Sequence, residues 1–305
     1  MTCGRKLGPY DCIRVFPAKT QWTPDDEWAF VGPPPLFRPG TPDTPVLVSV
    51  TFTWLKKRAE ETANSWRAFY RDVRLGGPAY GDPGGEFTPG KFLKLGCTIT
   101  SRGCPKKCGW CIVPKNEGAI RTLEIKPGWI VQDNNLLACP EKHIRAVFEM
   151  LSKQGRRVFF NGGLDKHFLR DWHRELFDSV PIGELWFACD IASDLPALER
   201  VAGILSGIPI QKLRCYTMIG YDGETLLEAE RRLARVFELG FLPFCQLYQP
   251  DETRVYTLEW RRVARKWSRP AIYRSERIAL VEAQPNLFEK PKLTQAAFDE
   301  IMGKE

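Results

Sequence analysis

Three cysteines, Cys104, Cys108 and Cys111, lie close together in the spacing Cys-x3-Cys-x2-Cys. Thiolates are the protein ligands of iron–sulfur clusters, and a cluster of four irons ordinarily takes four of them. Three ligands leave one iron open, which suits a cluster that must bind and reduce a small molecule directly. The spacing therefore predicts a [4Fe-4S] cluster that carries out chemistry.

A zinc site is the main alternative, because cysteines two to four residues apart are also typical zinc ligands. A closed zinc site needs a fourth ligand, and the chain offers only the distant His143, His167 and His173 or an isolated cysteine. No second Cys-x2-Cys or Cys-x2-His pair follows the loop. The cluster is the favoured interpretation, and a zinc site or three unligated core cysteines remain open.

The loop resembles the signature of the radical S-adenosylmethionine superfamily, in which an aromatic residue precedes the last cysteine, as Trp110 does here. Its flanks, Ser101-Arg102-Gly103 and Val113-Pro114, are most similar to the branch related to cobalamin-dependent radical enzymes and methylthiotransferases. The resemblance implies that the three cysteines hold the cluster and that its open iron chelates the cofactor S-adenosyl-L-methionine. It also implies an electron donor such as flavodoxin or ferredoxin, and cleavage of the cofactor to methionine and a 5'-deoxyadenosyl radical that abstracts hydrogen from a substrate.

Strands and helices alternate from Leu95 onward, which predicts a parallel α/β architecture. The apolar and β-branched segments predict six strands: Leu95–Thr100, Trp129–Gln132, Arg157–Phe160, Glu184–Cys189, Lys212–Ile219 and Pro243–Tyr248. Helical periodicity predicts helices over Pro140–Gln154, Lys166–Phe177, Leu195–Leu205, Glu224–Leu239 and Thr257–Trp267. Six such units match the partial (β/α)6, TIM-like barrel of the superfamily, so the pattern and the resemblance predict the same fold.

The catalytic groups of such barrels sit at the carboxyl ends of the strands. The candidate cofactor-binding residues are therefore Trp110 in the loop and the residues that follow strands two to five, Asp133, Asn134, Asn161, Gly162, Asp190 and Gly220. The superfamily places a Gly-Gly-Glu-like segment after strand two, and this chain lacks it there. Helix caps and turns are the alternative for each of these residues. No catalytic residue beyond the cluster ligands is predicted.

The first 90 residues are rich in proline and glycine, which predicts loops and extended segments. A strand over Val46–Trp54, a helix near Leu55–Arg71 and a strand from Val73 resemble the last part of a cobalamin-binding domain. The Asp-x-His-x-x-Gly cobalamin motif is absent, because all three histidines follow residue 140. We expect a truncated appendage over residues 1–90 in which cobalamin is unlikely to bind, the barrel over 91–268 and a tail over 269–305.

The composition is that of an ordinary globular protein, with 43% hydrophobic and 27% charged residues among 305. No segment approaches the roughly 18 uninterrupted apolar residues of a membrane span, and the N-terminus has no signal-peptide core. We therefore expect a cytoplasmic protein that does not contact membranes. Its ten cysteines are then reduced thiols. The isolated strand cysteines Cys97, Cys189, Cys215 and Cys245 are more typical of a buried core than of a second cluster.

Positive charge is concentrated between Arg254 and Arg277, where seven arginines and one lysine against two glutamates give six of the chain's seven excess charges. On the helix predicted there, Arg261, Arg262 and Arg265 lie opposite an apolar face and could contact phosphates of a nucleic acid. A solvated basic face is the alternative. The function predicted is a radical S-adenosylmethionine enzyme. A non-catalytic iron–sulfur protein that binds nucleic acid, or a cobalamin-assisted radical methyltransferase, remains open.

Overall fold

A small parallel sheet opens the part of the chain that the computed structural model describes, residues 10–250 and 254–275. Its strands are β1 Ile13–Phe16, β2 Ala29–Val31, β3 Val46–Ser49 and β4 Val73–Gly76, in the order β2-β1-β3-β4. All three pairings are parallel. The order reverses once, after β1, as it does in doubly wound sheets.

A second sheet of six parallel strands follows in simple chain order. Its strands are β5 Cys97–Thr98, β8 Ile130–Val131, β9 Val158–Phe160, β10 Ile182–Ala188, β11 Leu213–Ile219 and β12 Leu242–Leu247. Between β5 and β8, a short antiparallel pair joins β6 Ser101–Arg102 to β7 Arg121–Thr122. The predicted α/β class with parallel strands is confirmed.

The described residues contain the α-helices α1 Lys56–Arg67, α2 Val113–Asn116, α3 Glu141–Ser152, α4 Trp172–Asp178, α5 Leu195–Ile204, α6 Leu226–Glu238 and α7 Leu258–Trp267, and residues 270–275 are also helical. Five single 3-10 turns add Thr53–Leu55, Pro78–Tyr80, Leu136–Ala138, Ala192–Asp194 and Ile210–Lys212. None of these helices is long and apolar enough to cross a membrane. Most of the expected tail, residues 276–305, lies outside the described part.

The main core lies between the large sheet and its helices. Alternate residues of β10 and β11, such as Leu185, Phe187 and Cys215, are fully buried against helices α3 to α6. Phe148 of α3 stacks on Phe160 of β9 with 5.4 Å between ring centroids. The period of two along the strands and the apolar face of each helix thus fix the side of the sheet on which the helices pack.

The small sheet has its own core, covered on one face by helix α1. Trp66 of α1 is fully buried, and its indole nitrogen donates to the carbonyl of Gly32 at 2.9 Å. Arg14 of β1 faces the other way and is also fully buried. Its guanidinium donates to the carbonyls of Gly90 and Lys91 at 2.8 and 3.1 Å, which holds a coil segment over the second face.

Several predicted element bounds are wrong. The N-terminal region contains β1 and β2, which the sequence analysis did not predict, because strands of three or four residues beside prolines depend on their pairing partners. The strand expected over Val46–Trp54 ends at Ser49, and the helix expected from Leu55 to Arg71 spans Lys56–Arg67. Helix α4 begins at Trp172 instead of Lys166.

Candidate functional site: the cysteine loop and the strand ends

The cysteine loop leaves the large sheet at the carboxyl end of β5 and returns toward β8. The β6–β7 pair closes the base of this loop. At its start, the amide of Cys104 donates to the carbonyl of Gly118 at 3.1 Å. At its end, the amide of Cys111 donates to the carbonyl of Cys108 at 3.1 Å, a turn that keeps the last two cysteines adjacent. The backbone therefore holds all three cysteines within one closed loop.

A single carboxylate, that of Glu117, ties the loop to a strand end. Its Oε2 accepts hydrogen bonds from the amide of Gly103 at 2.9 Å and from Nδ2 of Asn134 at 2.7 Å. Its other oxygen lies 3.7 Å from the guanidinium of Arg102. Asn134 follows β8, so Glu117 links the residue before the first cysteine to the neighbouring strand of the sheet.

Asp133 also anchors the loop, from beneath. It is 1% exposed, and it accepts hydrogen bonds from the amide and hydroxyl of Thr100 at 2.7 Å each and from the hydroxyl of Ser101 at 2.6 Å. Burial raises the pKa of Asp133 to about 6, against the lowering effect of those hydrogen bonds. Its carboxylate is fully engaged by protein groups. A direct role in cofactor binding stays a prediction, whereas positioning of the loop follows from these contacts.

The three cysteine side chains are partly exposed and interact electrostatically with one another. Burial raises the pKa of Cys108 and of Cys111, and the neighbouring thiols raise it further. Cys104 and Cys108 both act on Cys111 electrostatically, so the three sulfurs share one site. Because thiolates are the metal-binding form, metal binding here must displace protons.

Asn135, which follows β8, contacts the first cysteine and joins it to Asp165, which follows β9. Nδ2 of Asn135 donates to the sulfur of Cys104 at 3.4 Å and to a carboxylate oxygen of Asp165 at 3.1 Å. The ammonium of Lys106, inside the loop, lies 3.9 Å from Asp165. The side-chain oxygen of Asn135 is buried without a partner. The loop is thus held by residues after β8 and after β9.

Aromatic contacts join the other side of the loop to the last two strands. Trp110 meets Tyr221 edge to face at 4.9 Å between ring centroids, and Tyr221 meets Tyr248 in the same way at 5.0 Å. Tyr221 follows β11 and Tyr248 follows β12. Such aromatic pairs stabilise by about 0.5 to 1.5 kcal/mol beyond the area they bury. Trp110 therefore helps to fix the loop across the carboxyl edge of the sheet.

The end of β9 carries an open acceptor. The side-chain oxygen of Asn161 is buried and has no hydrogen-bond partner. Gly162 follows it, and a Cβ there would lie 2.5 Å from the carbonyl carbon of Gln132 and 2.7 Å from the nitrogen of Asp133. Glycine is therefore required for the two strand ends to approach so closely. A ligand with an N–H or O–H group could satisfy Asn161.

The ends of β10 and β11 carry the remaining predicted residues. Oδ1 of Asp190 accepts a hydrogen bond from the amide of Met218 at 2.9 Å, and burial raises the pKa of Asp190. The amide of Gly220 donates to Glu224 at 2.9 Å, while its carbonyl accepts from Arg254. Asp190 acts electrostatically on Cys108 and Cys111. These strand ends therefore lie on the same side of the sheet as the cysteine loop.

A buried arginine fastens the loops after β10 and β11 to each other. Arg232 of α6 is 3% exposed and donates to the carbonyl of Cys189 and, at 2.8 Å, to that of Met218. It also forms an ion pair with Glu224 at 2.5 Å. A buried cation with a carboxylate and two carbonyls has its charge and donors satisfied. Arg232 thus positions the loops that carry Asp190 and Gly220.

The donor set of the loop is three thiols, the ligand type that iron–sulfur clusters use. Among residues 10–250 and 254–275, no three His, Cys, Asp or Glu side chains converge on a point that could hold one metal ion. A zinc site needs its sulfurs about 2.3 Å from one ion. In a four-iron cluster each thiolate binds a different iron, so the sulfurs stand farther apart. Three thiols on one loop are a donor set that could hold such a cluster.

The structure brings every predicted site residue to one edge, and it adds residues that the sequence analysis missed. Glu117, Asn135, Asp165 and Arg232 make the contacts that hold the loop and strand ends in place. Asn135 and Asp165 come shortly after β8 and β9, two strands whose ends the sequence analysis had already predicted to carry site residues. Glu117 and Arg232 could not be predicted, because nothing in the sequence distinguishes a buried Glu or Arg from a solvated one.

A scan against protein-family models and a search among curated proteins both found no match to this chain.

Proposed function

We propose that the protein is a radical S-adenosylmethionine enzyme with a [4Fe-4S] cluster held by Cys104, Cys108 and Cys111. The observation that carries the proposal is the geometry of the loop: three partly exposed thiols lie in one closed loop that follows β5, and at the end of a strand of the same sheet the side-chain oxygen of Asn161 has no partner. When bound, the cluster would pass an electron from a donor such as flavodoxin or ferredoxin to S-adenosyl-L-methionine, and the resulting 5'-deoxyadenosyl radical would abstract hydrogen from a substrate. A donor set of three cysteines supports this chemistry, since it leaves one iron open.

The strand order supports the fold that this function requires. Parallel crossovers are almost always right-handed, so strands in simple chain order place all their helices on one face. A sheet covered on one face only closes toward a barrel, with the other face inside. We therefore propose a partial (β/α)6 barrel whose interior carries Trp186, Tyr216 and Phe244, which pack on one another at 4.3 to 5.9 Å. Its carboxyl edge is where barrel enzymes bind substrates.

Within this proposal the chain's own residues have separate tasks. Asp133 and Glu117 keep the loop in register with the sheet. Asn161, Asn134 and Asp190 offer polar groups at the carboxyl edge, and these would orient the amino acid end or the ribose of the cofactor. Trp110 closes one side of the site. The protein supplies binding and orientation, whereas the difficult bond cleavage belongs to the cofactors.

Anaerobic reconstitution tests the proposal. We expect about four irons per chain, an absorbance band at about 400 nm, and release of 5'-deoxyadenosine and methionine on reduction. Replacing Cys104, Cys108 and Cys111 by Ala should abolish all three signals. The matched control replaces the buried strand cysteines Cys189, Cys215 and Cys245 by Ala, which should leave the iron content unchanged in the protein that folds. Full iron content in the loop variant would show the assignment to be wrong.

A nucleic-acid partner is a second candidate, supported by helix α7. Its apolar side packs into the protein through Val263 and Trp267, while Arg261, Arg262 and Arg265 are exposed. A helix that is fixed on one face can offer its arginines to phosphates without further ordering of the backbone.

A further inference from the structure

A cavity of about 470 Å³ lies where the small sheet meets the large one. Its floor is the face of the small sheet that lacks a helix: Leu47 and Ser49 of β3 pair in register with Arg74 and Gly76 of β4, and all four line the cavity. Coil residues 82–93 form the opposite wall. The end nearest the cysteine loop is closed by Ile99 after β5, Arg102 in β6 and Gln132 after β8. Ligand pockets commonly measure about 300 to 1,000 Å³, so the size fits a small molecule.

The cavity has largely apolar walls that also carry the cations Arg74, which is paired with Asp72, and Lys91, and a third cation lies at its inner end. Leu47, Phe87, Leu93 and Ile99 provide the apolar surface. Such a lining binds the body of a ligand by removing its apolar area from water. Arg102, two residues before Cys104, supplies a cation that is 19% exposed. A ligand that matches both features has an apolar body and a negative end.

Two donors at the inner end have no partner in the protein. Nε of Arg102 and the side-chain nitrogen Nε2 of Gln132 are both buried and form no hydrogen bond. Buried donors left without an acceptor are unfavourable by about 1 to 3 kcal/mol each, so such groups normally meet a ligand or water. A guanidinium and a carboxamide together match the two oxygens of a carboxylate.

The acidic residues that line the cavity do not occupy this position, and Glu117, which lies outside the lining, is 3.7 Å from one terminal nitrogen of Arg102 and leaves Nε without an acceptor. Asp82 and Glu86 are exposed, and each carboxylate accepts a hydrogen bond from a backbone amide: Asp82 from Gly84 of the coil at 2.8 Å and Glu86 from Glu124, after β7, at 3.3 Å. They therefore mark the rim. The negative end of a ligand is attracted to the inner end, and its approach places the ligand next to the cysteine loop.

We propose that this cavity binds a small amphiphilic carboxylic acid, with the carboxylate on Arg102 and Gln132 and the apolar body against the small sheet. We also take this acid to be the substrate of the cysteine-loop chemistry, and that part of the inference rests on the proposed function. The binding site itself does not depend on the cluster, because none of its lining residues is a cysteine.

Binding of 4-phenylbutanoate to the full-length chain, measured by isothermal titration calorimetry, tests the site. Its amide and amine analogues, 4-phenylbutanamide and 4-phenylbutylamine, have the same apolar body without the negative charge. We expect the acid to bind at least about tenfold more tightly than either analogue, because hydrogen bonds to a charged acceptor are the stronger ones. Equal affinity for acid, amide and amine, or no binding of the acid at millimolar concentration, would overturn the proposal.

Two substitutions separate the inner end from the walls. R102Q should remove the preference for the acid over the amide and leave affinity for the amide within about twofold, since the guanidinium is lost while the apolar walls are unchanged. G76L should weaken binding of both by about tenfold or more. Gly76 has ordinary strand backbone angles, and a Cβ there meets no atom within 4 Å, so the added side chain enters the cavity. The control is G203L, at an exposed glycine of α5 with equally open space.

The outcomes distinguish this inference from the proposed function. If the triple Ala variant of the loop cysteines loses iron but still binds the acid, the site stands by itself. If the native protein cleaves its cofactor while neither the acid nor its analogues bind, the cavity proposal is wrong and the proposed function is unaffected. If R102Q and G76L both bind the acid as G203L does, the acid binds elsewhere and the proposal is also wrong.

Discussion

The two parallel sheets of this chain differ in strand order, and the order decides what each can present to a ligand. The six strands of the large sheet follow one another in chain order, so the loops after successive strands are neighbours at one edge. The order of the small sheet reverses once, and among the α-helices of the described residues α1 is the one that packs into its core. The first arrangement gathers polar residues from many loops into one site. The second leaves a sheet face to be covered by coil, and the cavity lies there.

Trp66→Ala is expected to have the largest effect, and it tests whether the small sheet is a separate folding unit. Trp66 is fully buried beneath the sheet, so its removal should lower the free energy of unfolding by about 3 to 5 kcal/mol. Trp54, which is 49% exposed, provides the control: Trp54→Ala should change stability by about 0.5 kcal/mol or less.

In the Trp66 variant, hydrogen exchange under mild denaturant measures the protection of backbone amides in each of the two sheets separately. If the sheets are independent, amides of β10 and β11 keep their protection while those of β1 and β3 lose it. Simultaneous loss in both sheets would mean that the interface around the cavity makes them one cooperative unit. A loss of stability below about 1 kcal/mol would contradict the burial of Trp66.

Arg232→Ala should destabilise the carboxyl edge of the large sheet by about 3 kcal/mol, because Glu224 and two carbonyls would lose their buried partner. The exposed pair of Arg235 with Glu199 offers the matched control, and Arg235→Ala should cost about 1 kcal/mol or less. Urea unfolding measures both. A double variant that also replaces Glu224 by Ala should lose less than the sum of the single effects. Strict additivity would argue against the ion pair.

Asp133→Asn should change the pH dependence of stability. The pKa of Asp133 is about 6 in the folded protein and 3.8 when unfolded, so the folded state holds the proton more tightly. Its contribution therefore favours folding at low pH and is lost as the pH rises through about 6. Between pH 5 and pH 7.5 the native chain should lose about 1 to 1.5 kcal/mol that the variant does not lose.

Unfolding curves of the two proteins at both pH values supply this measurement, with the exposed Asp25→Asn as the control variant. Parallel pH profiles for the native chain and Asp133→Asn would show that Asp133 is ionised in both states.

The smallest effect on stability is expected on the outer surface of α7, where only partner binding should change. If α7 contacts a nucleic acid, affinity should fall with salt by about 0.9 log units per tenfold increase for each duplex phosphate neutralised. Replacing Arg261, Arg262 and Arg265 by Gln should flatten that slope and leave iron content unchanged. Fluorescence anisotropy with labelled RNA and DNA at low and moderate salt measures it. Absence of binding at low salt would leave the arginines as a solvated face.

The sequence alone determined the elements that repeat a clear period and the residues that follow them. The alternation of strands and helices after Leu95 predicted six parallel strands, and their carboxyl ends predicted where Asp133, Asn161 and Asp190 would gather. Local patterns suffice there because apolar period and chain direction are properties of each segment. The spacing of Cys104, Cys108 and Cys111 is likewise local.

Only the tertiary structure determined which contacts the individual side chains make and what covers the second face of the small sheet. Strands β1 and β2 are too short to be recognised without their partners, and Arg14 gives no sign in sequence that it is buried. Glu117 meets Asn134 across 17 positions of the chain. Such contacts depend on how separate segments pack, since hydrogen bonding and burial between distant residues are set by the whole fold and not by any one stretch of it.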